Sequence, residues 1–303
     1  MEYLLCLLAS LSASMNGFCM KQYQGRTERV KNADFFFNFG ISLFALAFYA
    51  VTAFFSDGLS GSPAVLSYAL LYGVGYVVGT VGCLFALQRG SLVITVIVCQ
   101  MGALIPILYS VFVYGEEVTP FTLGGMLALL LSVVLFNMKK EAEPKEKRRG
   151  GLSFFVWAFL GGIGNGTTML AVKMQQHDSP GEKQSALLFY GILVAAVIFC
   201  ALLMIYRPRV FSSEGKAEEK CLPLLISGSL WVLIYGLCNA TANLLGSLVV
   251  SRLPAIVYYM MMTGLGILVS FSIGRFVYRE RLCLIQYVGV AAATAGLVLL
   301  TAF

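Results

Sequence analysis

Apolar residues run in long blocks along this chain, separated by short polar stretches. The blocks predict helices over about 3–20, 35–55, 64–87, 91–113 and 120–138, then 152–172, 184–206, 222–250, 255–274 and 282–302. Runs of 18 or more residues recur, and at 1.5 Å per residue such a helix crosses a hydrocarbon core of about 30 Å. No block alternates apolar and polar positions as a barrel strand would. In lipid every backbone N–H and C=O must be satisfied internally, so the expected fold is all-α and integral to the membrane, with ten transmembrane helices.

Composition removes the soluble alternative. Of 303 residues, 59% are hydrophobic and 12% charged, with a mean hydropathy of +0.84, too much apolar surface for a water-soluble globule to hide. Near the middle, Lys139 to Gly151 is charged, broken by Pro144 and closed by Gly150 and Gly151, which reads as a solvated linker. It divides the chain into a first unit over 1–138, a linker over 139–151 and a second unit over 152–303, with five predicted helices on either side. The charged connection from Arg207 to Lys220 is too short to be a domain.

The two halves look alike. At an offset of 164 residues, Phe112-Val113-Tyr114-Gly115-Glu116 falls on Phe276-Val277-Tyr278-Arg279-Glu280. Gly82 falls on Gly246, Gly102 on Gly266 and Gly125 on Gly289, while Leu84 meets Leu248 and Val134-Leu135 meet Val298-Leu299. Apolar identities are cheap in such a chain, but a glutamate, a tyrosine and three glycines in one register are not. Because five helices are an odd number, the copies would enter the membrane from opposite sides, making an inverted repeat of the kind that supports alternating access.

Charge then bears on orientation. The formal charge of +6 does not mark a nucleic-acid surface, because the basic residues sit in connections between apolar runs. Connections after the odd-numbered helices hold 18 Lys and Arg, against three on the other side: Lys173, Lys183 and Arg252. The positive-inside rule places the odd connections in the cytoplasm and both termini outside, in a multi-pass protein of the cell membrane. Met1-Glu2-Tyr3 lacks the basic start of a cleaved signal peptide, so the first apolar run is expected to remain as a helix.

Little suggests a cofactor or bond-making chemistry. The eight cysteines are scattered singly, mostly within apolar runs, without C-x-x-C spacing, and read as reduced, packed thiols. The only histidine, His177, is expected in a loop beside Asp178, with no H-E-x-x-H around it. No metal and no cofactor are predicted. The clustered glycines Gly73, Gly75, Gly79, Gly82 and Gly161, Gly162, Gly164, Gly166 lie inside apolar runs. Their small-x-x-x-small spacing points to close helix packing and away from a phosphate loop.

Glu116 followed by Gly125, and Glu280 followed by Gly289, place a glutamate after an aromatic-rich helix end and a glycine nine residues later in the last helix of each half. This doubled motif, with the helix count, resembles the drug/metabolite transporter superfamily of the EamA type over nearly the whole chain. The resemblance implies a ten-helix basket whose central cavity is lined by helices one, three and four with six, eight and nine. Helices five and ten would be peripheral, where a homodimer could form. Two departures stand out: members usually have both termini in the cytoplasm, and the relatives that exchange protons for cationic drugs carry a glutamate in helix one, whereas here Leu7 to Ser14 contains no acid.

Candidate binding residues follow from the cost of burying polar groups in lipid. No ionisable residue falls at the centre of a predicted helix. Glu116, Glu117 and Glu280 stand at helix ends, where capping or pairing with Arg279 or Arg281 is the plain reading. Lys21 and Lys173 end helices one and six, each with a glutamine three residues on, and either snorkel or present a charge at a cavity mouth. Uncharged groups are better candidates: Asn16, Tyr72, Tyr76, Gln100, Asn165, Tyr235, Asn239 and Asn243. Tyr235, Asn239 and Asn243 share one stripe of helix eight, and Tyr72, Tyr76 and Thr80 share one of helix three. Interhelical hydrogen bonding without a ligand is the alternative for each. Trp231, Tyr258 and Tyr259 could add aromatic lining or sit in an interfacial belt. Pro106 is expected to kink helix four and to serve as a gating hinge.

The expected activity is secondary transport of a neutral, zwitterionic or weakly anionic small molecule through the lipid bilayer, without nucleic acid. The competing readings are a non-transporting assembly subunit and a membrane-embedded lipid-modifying enzyme.

Overall fold

The computed structural model describes residues 2–28, 30–55, 58–59, 61–90, 95, 98–99, 101–137, 151–179, 182–210, 221–250, 252–277 and 284–302. In it the helices are α1 (Glu2–Arg26), α2 (Ala33–Phe55), α3 (Pro63–Leu87), α4 (Leu104–Val113, preceded by a 3₁₀ turn at Met101–Ala103), α5 (Pro120–Asn137), α6 (Leu152–Asp178), α7 (Gln184–Ile205), α8 (Cys221–Ser227), α9 (Ser229–Val250), α10 (Ala255–Phe276) and α11 (Leu284–Ala302). Seven of these are long and apolar enough to cross a membrane, and shorter apolar helices occupy Met101–Val113, Pro120–Ser132 and Tyr287–Gly296. The fold is an all-α membrane fold. Large side chains such as Phe112, Leu152 and Leu284 are at least four-fifths exposed, an arrangement that a lipid surround makes stable.

Local chemistry explains where helices begin and end. Pro63 opens α3 after Ser62, at a position where a missing N–H costs nothing. Gly115 adopts φ +66°, and the N–H groups of Tyr114 and Glu116 both return to the Ser110 carbonyl, a left-handed stop that places Glu116 just beyond α4. Two expected ends lie further on: α1 continues to Arg26 and α6 to Asp178. His177 is therefore in the last turn of a helix and not in a loop, because no breaker intervenes before Ser179-Pro180. The run over 222–250 divides at Gly228 into α8 and α9.

Packing runs mainly between halves. α1 lies against α9 and α10, α3 against α6 and α7, α2 against α7 and α9, and α5 against α11. Between α3 and α6 the backbones touch: a Cβ on Gly82 would meet the main chain of Gly161, and one on Gly164 would meet that of Gly79. This glycine seam gives dispersion contact that larger residues would prevent.

The helix ends gather into two faces. On one, Val30–Lys31 pairs antiparallel with Arg209–Val210, joining the connections after α1 and α7, and Gln88 donates to Asp34. On the other, Tyr68 at the start of α3 and Tyr114 after α4 both donate to the Asp178 carboxylate at the end of α6. Connections expected on the same side of the membrane thus meet one another.

Candidate functional site

Between α1, α3, α6, α9 and α10 lies a cavity of about 220 Å³. Asn16, Tyr72, Tyr76, Asn165, Tyr235, Asn239 and Asn243 all line it, each from the middle portion of its helix. Both polar stripes face it in full, since Thr80 is present as well. Gln100 lies outside the described residues. The remaining wall includes groups that patterning alone passed over: Met20, Cys83, Cys99, Thr168, Met169, Ser247 and Met262. A helical extension of the stripes would have reached some of them, as Asn165 leads to Thr168 and Met169, and Asn243 to Gly246 and Ser247.

Among the described residues no Lys, Arg, Asp or Glu lines the cavity; its chemistry is that of four asparagines, five tyrosines and a few hydroxyls and thiols. A hydrogen-bond chain crosses it. Asn16 Nδ2 donates to Asn239 Oδ1 at 3.0 Å, Asn239 Nδ2 donates to the Tyr76 hydroxyl at 3.3 Å, and Asn243 Nδ2 donates to the Asn239 carbonyl at 2.9 Å. The chain leaves one group unused, because Asn16 Oδ1 is buried without a partner. A buried acceptor without a donor costs about 1–3 kcal/mol, and a ligand donor would recover it.

The 164-residue offset read from the sequence sets Asn239 against Gly75 and Asn243 against Gly79. In the first half those positions bring α3 onto the backbone of Gly164 and Asn165 in α6. In the second half the same positions carry amides that reach α1 through Asn16. One contact is closed by absent side chains, and its counterpart is bridged by hydrogen bonds that can be exchanged.

Polar and aromatic contacts flank the cavity on either side. Towards the Asp178 face, Lys173 Nζ pairs with Glu116 Oε1 at 2.6 Å, and Glu116 Oε2 accepts from the Ala255 N–H at 2.9 Å. Tyr259 donates to the Met169 carbonyl and Gln176 to that of Ser247, both at 2.8 Å. Lys173 is thus engaged by Glu116 just beyond α4; the arginines expected as partners, Arg279 and Arg281, lie outside the described residues. Towards the other face, Phe18 meets Trp231 edge-on and Phe37 contacts both Tyr23 and Tyr235. Trp231 therefore packs beside the cavity, while Tyr258 and Tyr259 line it. Lys21 follows Met20 in α1, outside the lining. Gln24 donates to the Leu84 carbonyl and so fastens α1 to α3, as Gln176 fastens α6 to α9 through the Ser247 carbonyl.

Pro106 is the third residue of α4. It stands where the 3₁₀ turn Met101–Ala103 passes into α-helix, and Val98 and Cys99 just before that turn are helical as well. Such junctions are common at hinges.

The fold and cavity define a multi-pass membrane protein with an uncharged polar hollow among its helices. Residues 1–138 match the EamA-like transporter family, which is part of the drug/metabolite transporter superfamily. A crystal structure of a protein 14% identical superposes with a TM-score of 0.65, covering 99% of this chain and 96% of that one, which supports the fold alone. No protein of curated function matches in sequence.

Proposed function

We propose that this chain is a secondary transporter that moves a small neutral, zwitterionic or weakly anionic metabolite across the cell membrane by alternating access. The observation that carries the proposal is the uncharged amide-and-tyrosine cavity in which Asn16 Oδ1 is left without a donor. An uncharged site in low dielectric disfavours a lone ion, whose desolvation it cannot repay, and favours a molecule rich in hydrogen-bonding groups. Asn16, Asn165, Asn239 and Asn243 would bind its polar groups, and Tyr72, Tyr76 and Tyr235 its apolar body; Gln100 is assigned to the same set from sequence.

Ten spans in two inverted units are part of this reading. It is supported by equivalent helix pairings, α1 with α9 and α3 with α6, and by the matched glutamines. The halves would rock about the cavity, with Lys21 and Lys173 at its mouths and Pro106 as a hinge. Both termini would be outside, following the charge bias, and paired α5 and α11 would offer a face for a homodimer.

The test is counterflow in liposomes against a panel of amino acids, nucleosides, sugars and lipophilic cations, with a thermal-shift screen on the same protein. A neutral or zwitterionic compound should exchange and stabilise, and Asn16→Ala should abolish both responses. Stabilisation by lipophilic cations in preference to all others would overturn the reading.

A further inference from the structure

Three basic residues stand on elements that pack together on one face of the molecule, away from the cavity lining. The short ladder places Lys31 directly opposite Arg209. Both are exposed, and like charges across a ladder disfavour it. The strand carrying Lys31 also packs on α8, whose last residue, Ser227, accepts a hydrogen bond through its carbonyl from Arg26. Arg26 is exposed and lies 5.7 Å from the centre of the Trp231 ring. Among the described residues none of the three makes an ion pair, and Glu28, the acid nearest in sequence to the ladder strand, makes none with them. Asp34 is occupied by Gln88.

The helix ends next to this cluster in the chain expose apolar side chains. Met204, Ile205 and Tyr206 at the end of α7 are at least half exposed, and so are Ile226 and Leu230 on α8 and α9. Basic side chains on connections that run straight out of exposed apolar helix ends, with Trp231 beside Arg26, fit one chemistry: a phosphate attached to acyl chains.

We propose that Lys31, Arg209 and Arg26 form a binding site for the headgroup phosphate of an anionic phospholipid, with its chains along the end of α7. The bound phosphate supplies the counter-charge that lets Lys31 and Arg209 stand opposite each other, and so ties the connection after α1 to that after α7. The site is separate from the transport cavity and stands whether or not the transport reading does.

The experiment is thermal unfolding of the detergent-purified full chain with added phosphatidylglycerol, phosphatidylcholine, glycerol 3-phosphate or inorganic phosphate. Phosphatidylglycerol should raise Tm, and the other three should leave it near its starting value. In K31Q/R209Q the rise should fall by at least half, whereas K183Q, altered on another connection, should keep it. R209Q should melt no lower than the parent in neutral detergent alone, because a like-charge contact has been removed. Should the double variant not fold, native mass spectrometry of K31Q and of R209Q separately should show fewer retained phosphatidylglycerol molecules than the parent. An undiminished rise or undiminished retention in the variants would overturn the site, and an equal rise with inorganic phosphate would overturn its assignment to lipid.

Discussion

Asn16 of α1 donates through Nδ2 to Oδ1 of Asn239 in α9 at 3.0 Å, joining the first half of the chain to the second at the wall of the cavity. Only one side of the Asn16 amide is used, since its Oδ1 has no partner. Asn16→Ala removes the bond and the orphan Asn16 Oδ1 but leaves Asn239 Oδ1 without its donor, so one orphan replaces another and the resting protein should lose about 1 kcal/mol. Ligand-induced stabilisation should vanish. Thermal melts with and without a transported compound measure both; retention of the ligand shift would remove Asn16 from the site.

Lys173 and Glu116 are only 11% and 19% exposed. Lys173→Ala would leave the Glu116 carboxylate poorly solvated, bonded only to the Ala255 N–H, at a cost of about 3 kcal/mol, the scale for breaking a largely buried pair. Lys173→Met combined with Glu116→Leu should recover most of that loss. Chemical denaturation of the three variants compares them, and equal stability of single and double variants would show that the pair does not act as a unit.

The glycine seam makes a sharper structural prediction. Gly164→Val places carbon atoms where the Gly79 backbone stands, and the resulting overpacking should destabilise the protein by about 3 kcal/mol or more. Gly25→Ala, whose added Cβ would meet nothing within 4 Å, serves as the control. The midpoint of unfolding should separate the two clearly.

Pro106→Ala tests the hinge. The substitution adds an N–H at the 3₁₀-to-α junction and allows the helix to extend backwards, so transport should slow while ligand affinity is maintained. Unchanged rates in liposomes would end the hinge proposal.

Orientation is open to direct measurement. A cysteine introduced near either terminus should react with an impermeant maleimide on intact cells, and one introduced after Arg209 should not. The reverse pattern would show that the charge bias misassigns the sides.

Patterning alone carried much of this protein, and the physical reason is lipid. Because the bilayer accepts only internally satisfied backbone, long apolar blocks were legible as helices without knowledge of their neighbours, although not the division of 222–250 at Gly228. The stripes of Tyr72, Tyr76 and Thr80 and of Tyr235, Asn239 and Asn243 were legible for the same reason: a polar residue amid apolar ones must face something other than acyl chains. The glycine clusters likewise announced close packing.

Partnership was another matter. Nothing in the order of residues says that Glu116 takes Lys173 rather than an arginine, since that choice depends on where Gly115 turns the chain and on how α6 lies against α4 and α10. Cys83, Met169 and Ser247 were hidden because thiols, thioethers and hydroxyls are tolerated on any helix face. The encounter of Lys31 with Arg209 spans 178 residues of chain. Periodicity reports which side of a helix is polar; only the packed bundle determines what that side meets.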